Sequence, residues 1–332
     1  MKKRNLGQTG TLISSIGIGA MSFSDAYGKT DTKQSHNLLS SAIDFGINHI
    51  DTSDIYGMGE SEERIGTFLR NNRSTKSFFK IATKGGIERG KDGKTRFNNS
   101  KIYLKNSLET SLKRLGVDHI ELYYIHRRDI NYEIEEVTET LVEFIREGKI
   151  GQIGFSEISP NSLAKASTIH SIGAVQSEYS LSTRYPELGL VQKLKELNSS
   201  LVAFSPLGRS LLTDKPHSFE KAQTFKFLKA NPRFLEPNLS QNINAANGFR
   251  NLASDFGISA AGLAIAWLLK KQKNIIPIPG TRSSKHLESI VNGANYSLTK
   301  LDMIDIEKTL PLGWAFGDRY SIDQWIGPEK YC

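Results

Sequence analysis

Short apolar runs alternate along this chain with longer stretches whose apolar residues recur at helical spacing, and glycine, proline or polar clusters mark the joins. The runs SIGIGA, INHIDT, FFKIAT, IELYYIH, IGQIGFS, GAVQSE, SLVAFS and NIIPIP read as strands. Amphipathic helices are predicted between them over 33–45, 61–70, 101–115, 133–147, 161–170 and 188–197, with a pair across 242–271. Eight strand-like runs in βα alternation, with no linker or composition break, predict an α/β fold. They fit a closed (β/α)8 TIM barrel better than an open sheet with a second domain. The start, KKRNLGQTGTLIS, reads as an N-terminal β-hairpin with Thr9 and Gly10 as turn material. The strand-poor stretch 206–239 is expected to be a functional cover. A tail from about 297 is expected to lie over the barrel, with 1–332 forming one domain.

Composition narrows the setting. With 38% hydrophobic and 23% charged residues over 332 positions, the chain can bury a full core. Its single cysteine, Cys332, excludes an intramolecular disulfide framework and a Cys-rich zinc module, and suits a reducing compartment. The opening MKKRNLGQTGTLISS lacks the apolar core of a signal peptide, and no run approaches the length needed to cross a bilayer. A cytoplasmic protein without a membrane partner is therefore expected. The net charge of +8 comes from basic residues scattered among 35 acidic ones, with no aromatic-interleaved stripe. That pattern predicts no nucleic-acid partner, only a basic surface suited to an anionic small molecule. The seven histidines show no His-x-x-x-His spacing, so no metal is expected.

The strand-like runs end in Asp51, Lys84, His126, Ser156, Gln176 and Phe204, followed by the turn Gly280-Thr281-Arg282. In such a barrel, strand ends and βα loops converge on one opening at the C-terminal face. Taken singly, each residue has a packing explanation: Asp51 could cap a turn, Lys84 lie on the surface and His126 be a satisfied core histidine. As a group they point to catalysis. Tyr56 follows Asp51 by five positions in DTSDIYG. A phenol with an ordinary pKa of about 10 becomes a general acid when an ammonium stabilises its phenolate. Lys84 is expected to lower the phenol's pKa, and Asp51 to hold Lys84 charged. His126 is expected to hydrogen-bond the same substrate oxygen and orient it. A proton donor at a carbonyl oxygen is what carbonyl reduction requires once a hydride reaches the carbon. Candidate pocket residues are Phe23, Tyr27, Arg127, Arg128, Trp314 and Phe316.

A hydride source requires a cofactor site. GIGAMS (17–22) is only a partial G-x-G-x-x-G, and GKDGKT (90–95) has Glu88 where a phosphate loop needs its first glycine. PIPGTRSSKHLESI (277–290) is the better site: a Gly280 turn leads to a helix that Ser283 or Ser284 could cap, beside Arg282 and Lys285. FSPLGRS (204–210) adds the Phe204 ring, which is either core or a stacking surface, then Ser205, Pro206, Leu207, Gly208 and Arg209. Thr281, Arg282, Ser283 and Lys285 supply donors and positive charge, and no acid lies in that turn, so NADPH (NADP+) is expected over NADH.

In order along the chain, DTSDIYG, KIATKGG, YYIHRRD, IGFSEIS, AVQSEYS, AFSPLGRS and PIPGTR resemble the signature segments of the aldo-keto reductase family. The resemblance covers nearly the whole chain. HRRD, SEYSL, SPLGR and the late GDRY are most similar to the bacterial, fungal and plant branch that includes pyridoxal reductases. The resemblance implies NADPH-dependent reduction of small aldehydes or ketones, with Tyr56 as proton donor, Lys84 and Asp51 as its tuning pair and His126 as the orienting residue. It implies that Ser156 and Gln176 bind the nicotinamide carboxamide while the ring stacks on Phe204, with further cofactor contacts at Gly19, Ala20 and Met21. Because the family includes channel-associated relatives, it also implies an alternative, a non-catalytic cofactor-sensing subunit of a membrane or protein complex. The chain departs from the family pattern at Phe204, where tyrosine is frequent, at Glu157, where asparagine is, and at Glu288-Ser289-Ile290, where Glu-Glu-Asn is common.

Overall fold

Each apolar run becomes a strand of one parallel sheet. The computed structural model describes residues 1–90 and 92–330. Lys91, inside the rejected phosphate-loop motif, and Cys332 lie outside the described residues. A hairpin of β1 (Lys3–Asn5) and β2 (Leu12–Ser14) precedes β3 (Ile18–Gly19), α1 (Thr32–Asp44), β4 (His49–Asp51), α2 (Glu60–Asn71) and β5 (Lys80–Gly85). A second hairpin, β6 (Ile87–Arg89) with β7 (Thr95–Phe97), leads to α3 (Lys101–Leu115), β8 (Ile120–Ile125), α4 (Ile134–Arg146) and β9 (Ile150–Ser156). Next come α5 (Pro160–Ile169), β10 (Ile172–Glu178), α6 (Leu190–Glu196), β11 (Ser200–Phe204) and α7 (Phe219–Gln223). The remainder holds α8 (Asn238–Ala245), α9 (Asn247–Asp255), α10 (Ala260–Lys271), β12 (Ile275–Pro277), α11 (Ser284–Asn295) and α12 (Lys300–Thr309).

The sheet runs β3-β4-β5-β8-β9-β10-β11-β12 with every neighbouring pair parallel. Backbone bonds from Gly17 N to Pro277 O (2.9 Å) and Gly19 N to Pro279 O (3.0 Å) join its first strand to its last. This is the (β/α)8 barrel. The N-terminal hairpin is present, and its Leu6 and Ile13, both 0% exposed, pack with Ala82, Leu122, Tyr124, Val202 and Ile276. Burying each such side chain is worth roughly 1.5–3 kcal/mol.

Local signals explain the helix starts. The side chains of Asp31, Ser100, Ser159, Ser259 and Ser283 each accept a backbone N–H of the helix they precede. Pro160 follows Ser159 as the first residue of α5, where a missing N–H costs nothing. Gly262 and Gly293 let α10 and α11 cross closely: a Cβ on Gly293 would lie 2.2 Å from Gly262 O. The second hairpin has no counterpart in the sequence pattern. Ile87 and Phe97, which face each other in its ladder, are the only apolar residues of its two strands, so no alternation marks it. The stretch 206–239 is strand-poor, as predicted, and is anchored by buried Leu211, Phe225, Leu228 and Phe234.

Candidate active site

β4 delivers Asp51 at its carboxyl end, and the next residues lead the chain over the barrel mouth. Thr52 Oγ1 bonds Ser61 Oγ (2.8 Å), which donates to Ala20 O (2.8 Å), tying this loop to α2 and to the loop after β3. Gly57, Met58 and Gly59 then adopt left-handed φ values of 61°, 57° and 100°. Two glycines make that turn inexpensive, while Met58 carries a strain of about 1–2 kcal/mol. The turn follows Tyr56, whose Oη lies 3.4 Å from Lys84 Nζ. Lys84, on β5, is 0% exposed and also donates to Asp51 Oδ1 (2.5 Å) and Thr52 O (2.7 Å), so its ammonium has three oxygen partners. Asp51 Oδ2 accepts from Gln176 Nε2 (2.7 Å). His126, just after β8, packs edge-on against Tyr56 with ring centroids 5.8 Å apart, and its Nδ1 lies 3.0 Å from Ser53 Oγ.

Electrostatics assigns protonation states to these groups. Burial acts against the Lys84 ammonium, but Asp51 and the Tyr56 phenol outweigh it and raise its pKa above 10.5. Burial is also the largest influence on Tyr56, and it raises the phenol above 10 even though Lys84 pulls it down. The expectation of a lowered phenol therefore needs correcting: Lys84 acts in the predicted direction, and desolvation of the phenolate is stronger. Burial, then the cations Arg127 and Lys84, hold His126 well below 6.5, so its imidazole is neutral at physiological pH.

The segments expected to hold a cofactor are arranged around the same face. Ser22 Oγ lies 3.1 Å from Gly19 O and 3.0 Å from Thr281 O, joining Gly19, Ala20 and Met21 to the Gly280 turn. A Cβ on Gly19 would sit 2.6 Å from Ile278 O, so only glycine fits there. Ser283 is the cap of α11; Lys285 is exposed on its first turn. Arg282 donates to Gly28 O (2.9 Å) and Lys29 O (2.8 Å), linking the turn to the loop after β3. Phe204 is half-buried at the end of β11, and Pro206 and Gly208 follow it into a loop where Ser205, Arg209 and Ser210 have left-handed φ. Such strain clusters at ligand clamps. Ser156 Oγ accepts from Arg127 (3.1 Å).

Several expectations change. Arg209 does not present its side chain to a ligand: it is buried and bidentate on Glu178 (3.0 and 2.5 Å), a partner it reaches only because β10 and β11 are adjacent. Phe23 is 0% exposed, and Trp314 is packed away with its indole N–H on Leu181 O (2.9 Å). Arg128 pairs with Glu329 of the tail (3.2 Å). Ile290 faces the core, and Ser289 bonds back to Lys285 O (3.2 Å).

The sequence reading assigned no role to Ser53 and Asp54, although both lie inside DTSDIYG, or to Arg319 inside GDRY. Arg319, 0% exposed, reaches Glu157 (2.7 and 3.0 Å) and so ties the tail to the residue after Ser156. The local sequence, with Asp318 before it and Tyr320 after it, gives no clue to its partner. A cavity of about 1140 Å3 lies elsewhere, lined by Lys2, Arg4, Lys270 and Lys273 among others. It holds no member of the Asp51, Tyr56, Lys84 and His126 group, so chemistry rather than size locates the site.

Known proteins share this arrangement of the chain. The family model described as Aldo/keto reductase family matches residues 15–310. The chain is similar to probable aldo-keto reductase 1 of Glycine max, at 36% identity over 316 residues, covering 95% of this chain and 90% of that protein. It is 33% identical over 312 residues to the Schizosaccharomyces pombe aldo-keto reductase yakc, whose name specifies NADP(+), covering 93% of this chain and 92% of that one. A glycerol dehydrogenase structure from Gluconobacter oxydans matches with a TM-score of 0.81 at 25% identity, covering 93% and 94% of the two chains. The holo form of an aldo-keto reductase from Bacillus halodurans matches with a TM-score of 0.78 at 26% identity, covering 98% and 99%.

Proposed function

This chain belongs to the aldo/keto reductase family, oxidoreductases acting on carbonyl compounds, and from that premise we propose that it reduces small aldehydes or ketones with NADPH, Tyr56 supplying the proton. The observation that carries this reading is the Tyr56 phenol held 3.4 Å from a fully buried ammonium and edge-on to a neutral imidazole. NADPH, when bound, supplies a hydride to the carbonyl carbon. Tyr56 gives its proton to the carbonyl oxygen and becomes a phenolate, and Lys84, fixed by Asp51 and Thr52 O, stabilises that charge. The raised pKa of Tyr56 keeps it protonated and ready to donate at neutral pH. In its Nε2–H tautomer, His126 orients the oxygen by a hydrogen bond.

The donor set suits NADPH. Thr281, Arg282, Ser283 and Lys285 gather hydroxyls and positive charge at the N-terminus of a 12-residue helix, the chemistry a 2′-phosphate needs. The name of the yakc relative is consistent with this. Ser156 keeps a hydroxyl proton to donate and Gln176 keeps an amide oxygen to accept, which together match a carboxamide. Gly19, Ala20 and Met21 and the backbone from Ser205 to Gly208 would border the cofactor. No single helix among the described residues is long and apolar enough to cross a membrane.

The test is NADPH oxidation with benzaldehyde by the wild type and by Tyr56→Phe. We expect steady turnover by the wild type, and in the variant a loss of about 100-fold or more in kcat with nearly unchanged NADPH affinity. NADPH binding without turnover in the wild type would instead identify a cofactor-sensing subunit. An active phenylalanine variant would mean that another group donates the proton.

A further inference from the structure

Orientation of a carbonyl oxygen by His126 depends on which ring nitrogen carries its proton. A neutral imidazole has one N–H, and the partner of the other nitrogen decides which one that is. Here Nδ1 faces Ser53 Oγ at 3.0 Å, leaving Nε2 as the nitrogen that can meet a substrate. The Ser53 hydroxyl has a single proton and three acceptors within reach: His126 Nδ1, Asp54 Oδ1 (3.2 Å) and Lys84 O (3.4 Å). Asp54 Oδ2 is already held by Ser107 Oγ at 2.7 Å, so Oδ1 is the oxygen that addresses Ser53.

We propose that Ser53 and Asp54 are positioning residues that select the tautomer of His126. This inference rests on the carbonyl-reduction reading. With Asp54 protonated, its O–H points to Ser53 Oγ, Ser53 donates to Nδ1, and the imidazole proton sits on Nε2, where it can hold a carbonyl oxygen. With Asp54 ionised, the carboxylate takes the serine's proton as hydrogen-bond acceptor, Nδ1–H donates to Ser53, and Nε2 turns a lone pair toward the substrate. One proton leaves to solvent from Asp54, and the imidazole exchanges one N–H for the other; within the Asp54, Ser53 and His126 group no other charge changes, and the neighbouring Glu62 carboxyl is itself raised by burial.

The surroundings place this change in an accessible range. Burial, reinforced by Glu62 of α2 and opposed by Ser107, Ser53 and the Arg114 guanidinium of α3, puts the Asp54 carboxyl at about 6. Tyr103 of α3 and Tyr123 of β8 also lie within its field, and burial holds both phenols above their ordinary value, so neither titrates near it. On the other side, Arg127 and Lys84 face His126 and, with burial, keep it neutral through the same range, while Tyr56 stays protonated. As pH rises through about 6, Asp54 ionises and the productive tautomer is lost. One hydrogen bond to the reacting oxygen corresponds to a fall of about tenfold in kcat for reduction.

Two measurements on the NADPH-loaded full-length protein test this. The first is 15N NMR of the His126 ring, assigned by its absence in His126→Asn, on either side of pH 6, which needs no turnover. The second is the pH profile of kcat with benzaldehyde for wild type and Asp54→Asn. The expected wild-type result is Nδ1 changing from an acceptor to an N–H signal as pH rises, with kcat falling about tenfold. In Asp54→Asn the amide oxygen keeps Ser107 and the amide nitrogen donates to Ser53, so the Nε2–H tautomer and a flat profile are expected throughout. A wild-type tautomer that ignores pH overturns the proposal even if the variant does not fold, and so does an unchanged response in a folded Asp54→Asn. Absence of turnover in the wild type removes the reductase reading instead, with the NMR result still deciding the tautomer question.

Discussion

Replacing Lys84 by methionine would keep an unbranched side chain of similar length and delete the buried charge. The ammonium's three contacts then disappear, and Asp51 keeps Gln176 while losing its counter-ion. Removing one partner of a buried ion pair costs about 3–5 kcal/mol. The Thr52 carbonyl, left without its donor, adds about 1 kcal/mol. A loss of roughly 3–5 kcal/mol at neutral pH is therefore expected from urea denaturation. In the wild type Lys84 has a raised folded pKa, so its contribution is complete below 10.5 and is lost only as pH rises through the higher folded value. Adding Asp51→Asn to Lys84→Met removes the unpaired carboxylate and should recover about 2 kcal/mol or more. A single-variant cost below about 1 kcal/mol would refute the view that this pair is a desolvated ion pair.

Two other substitutions address the face expected to hold the cofactor. Arg319→Met leaves the carboxylate of Glu157 without its guanidinium partner, so unfolding experiments should show a loss of about 3–5 kcal/mol, and NADPH titration a several-fold weaker affinity through the neighbouring Ser156. Despite burial, Arg319 and Arg127 hold Glu157 below 4.5, so in the wild type its contribution is present above that value and fades as pH falls through the lower folded pKa. The methionine variant should lack that acid-side loss, and a variant that keeps it would remove Arg319 as its cause. Arg282→Ala should weaken NADPH about ten- to hundredfold and NADH little, since a charge-assisted contact is worth roughly 1.5–3 kcal/mol. Equal weakening of both cofactors would show that Arg282 acts only as a brace on Gly28 and Lys29.

The barrel was legible from the chain because its signals are local. Apolar runs, helical spacing and capping residues such as Ser283 depend on neighbours a few positions away. The candidate group at the barrel mouth was legible for a related reason: once eight βα units close, residues at strand ends must converge, so Asp51, Lys84 and His126 could be collected without knowing any distance. Arg209 could not be read this way, because its partner Glu178 lies 31 positions upstream and meets it only across the β10–β11 pairing. Arg319 reaches Glu157 over 162 positions, and no local pattern announces such a pair. The tautomer problem at His126 likewise exists only because Ser53, from the loop after β4, arrives 3.0 Å from a ring carried just beyond β8. The direction of the Tyr56 shift depended on how completely the phenol was desolvated. Sequence by itself determined the eight barrel strands, most of the helices between them, and the strand ends that carry Asp51, Lys84 and His126. Tertiary structure alone decided their partners, burial and protonation, because Coulomb and desolvation energies depend on distance and surrounding medium, which the order of residues along a chain does not specify.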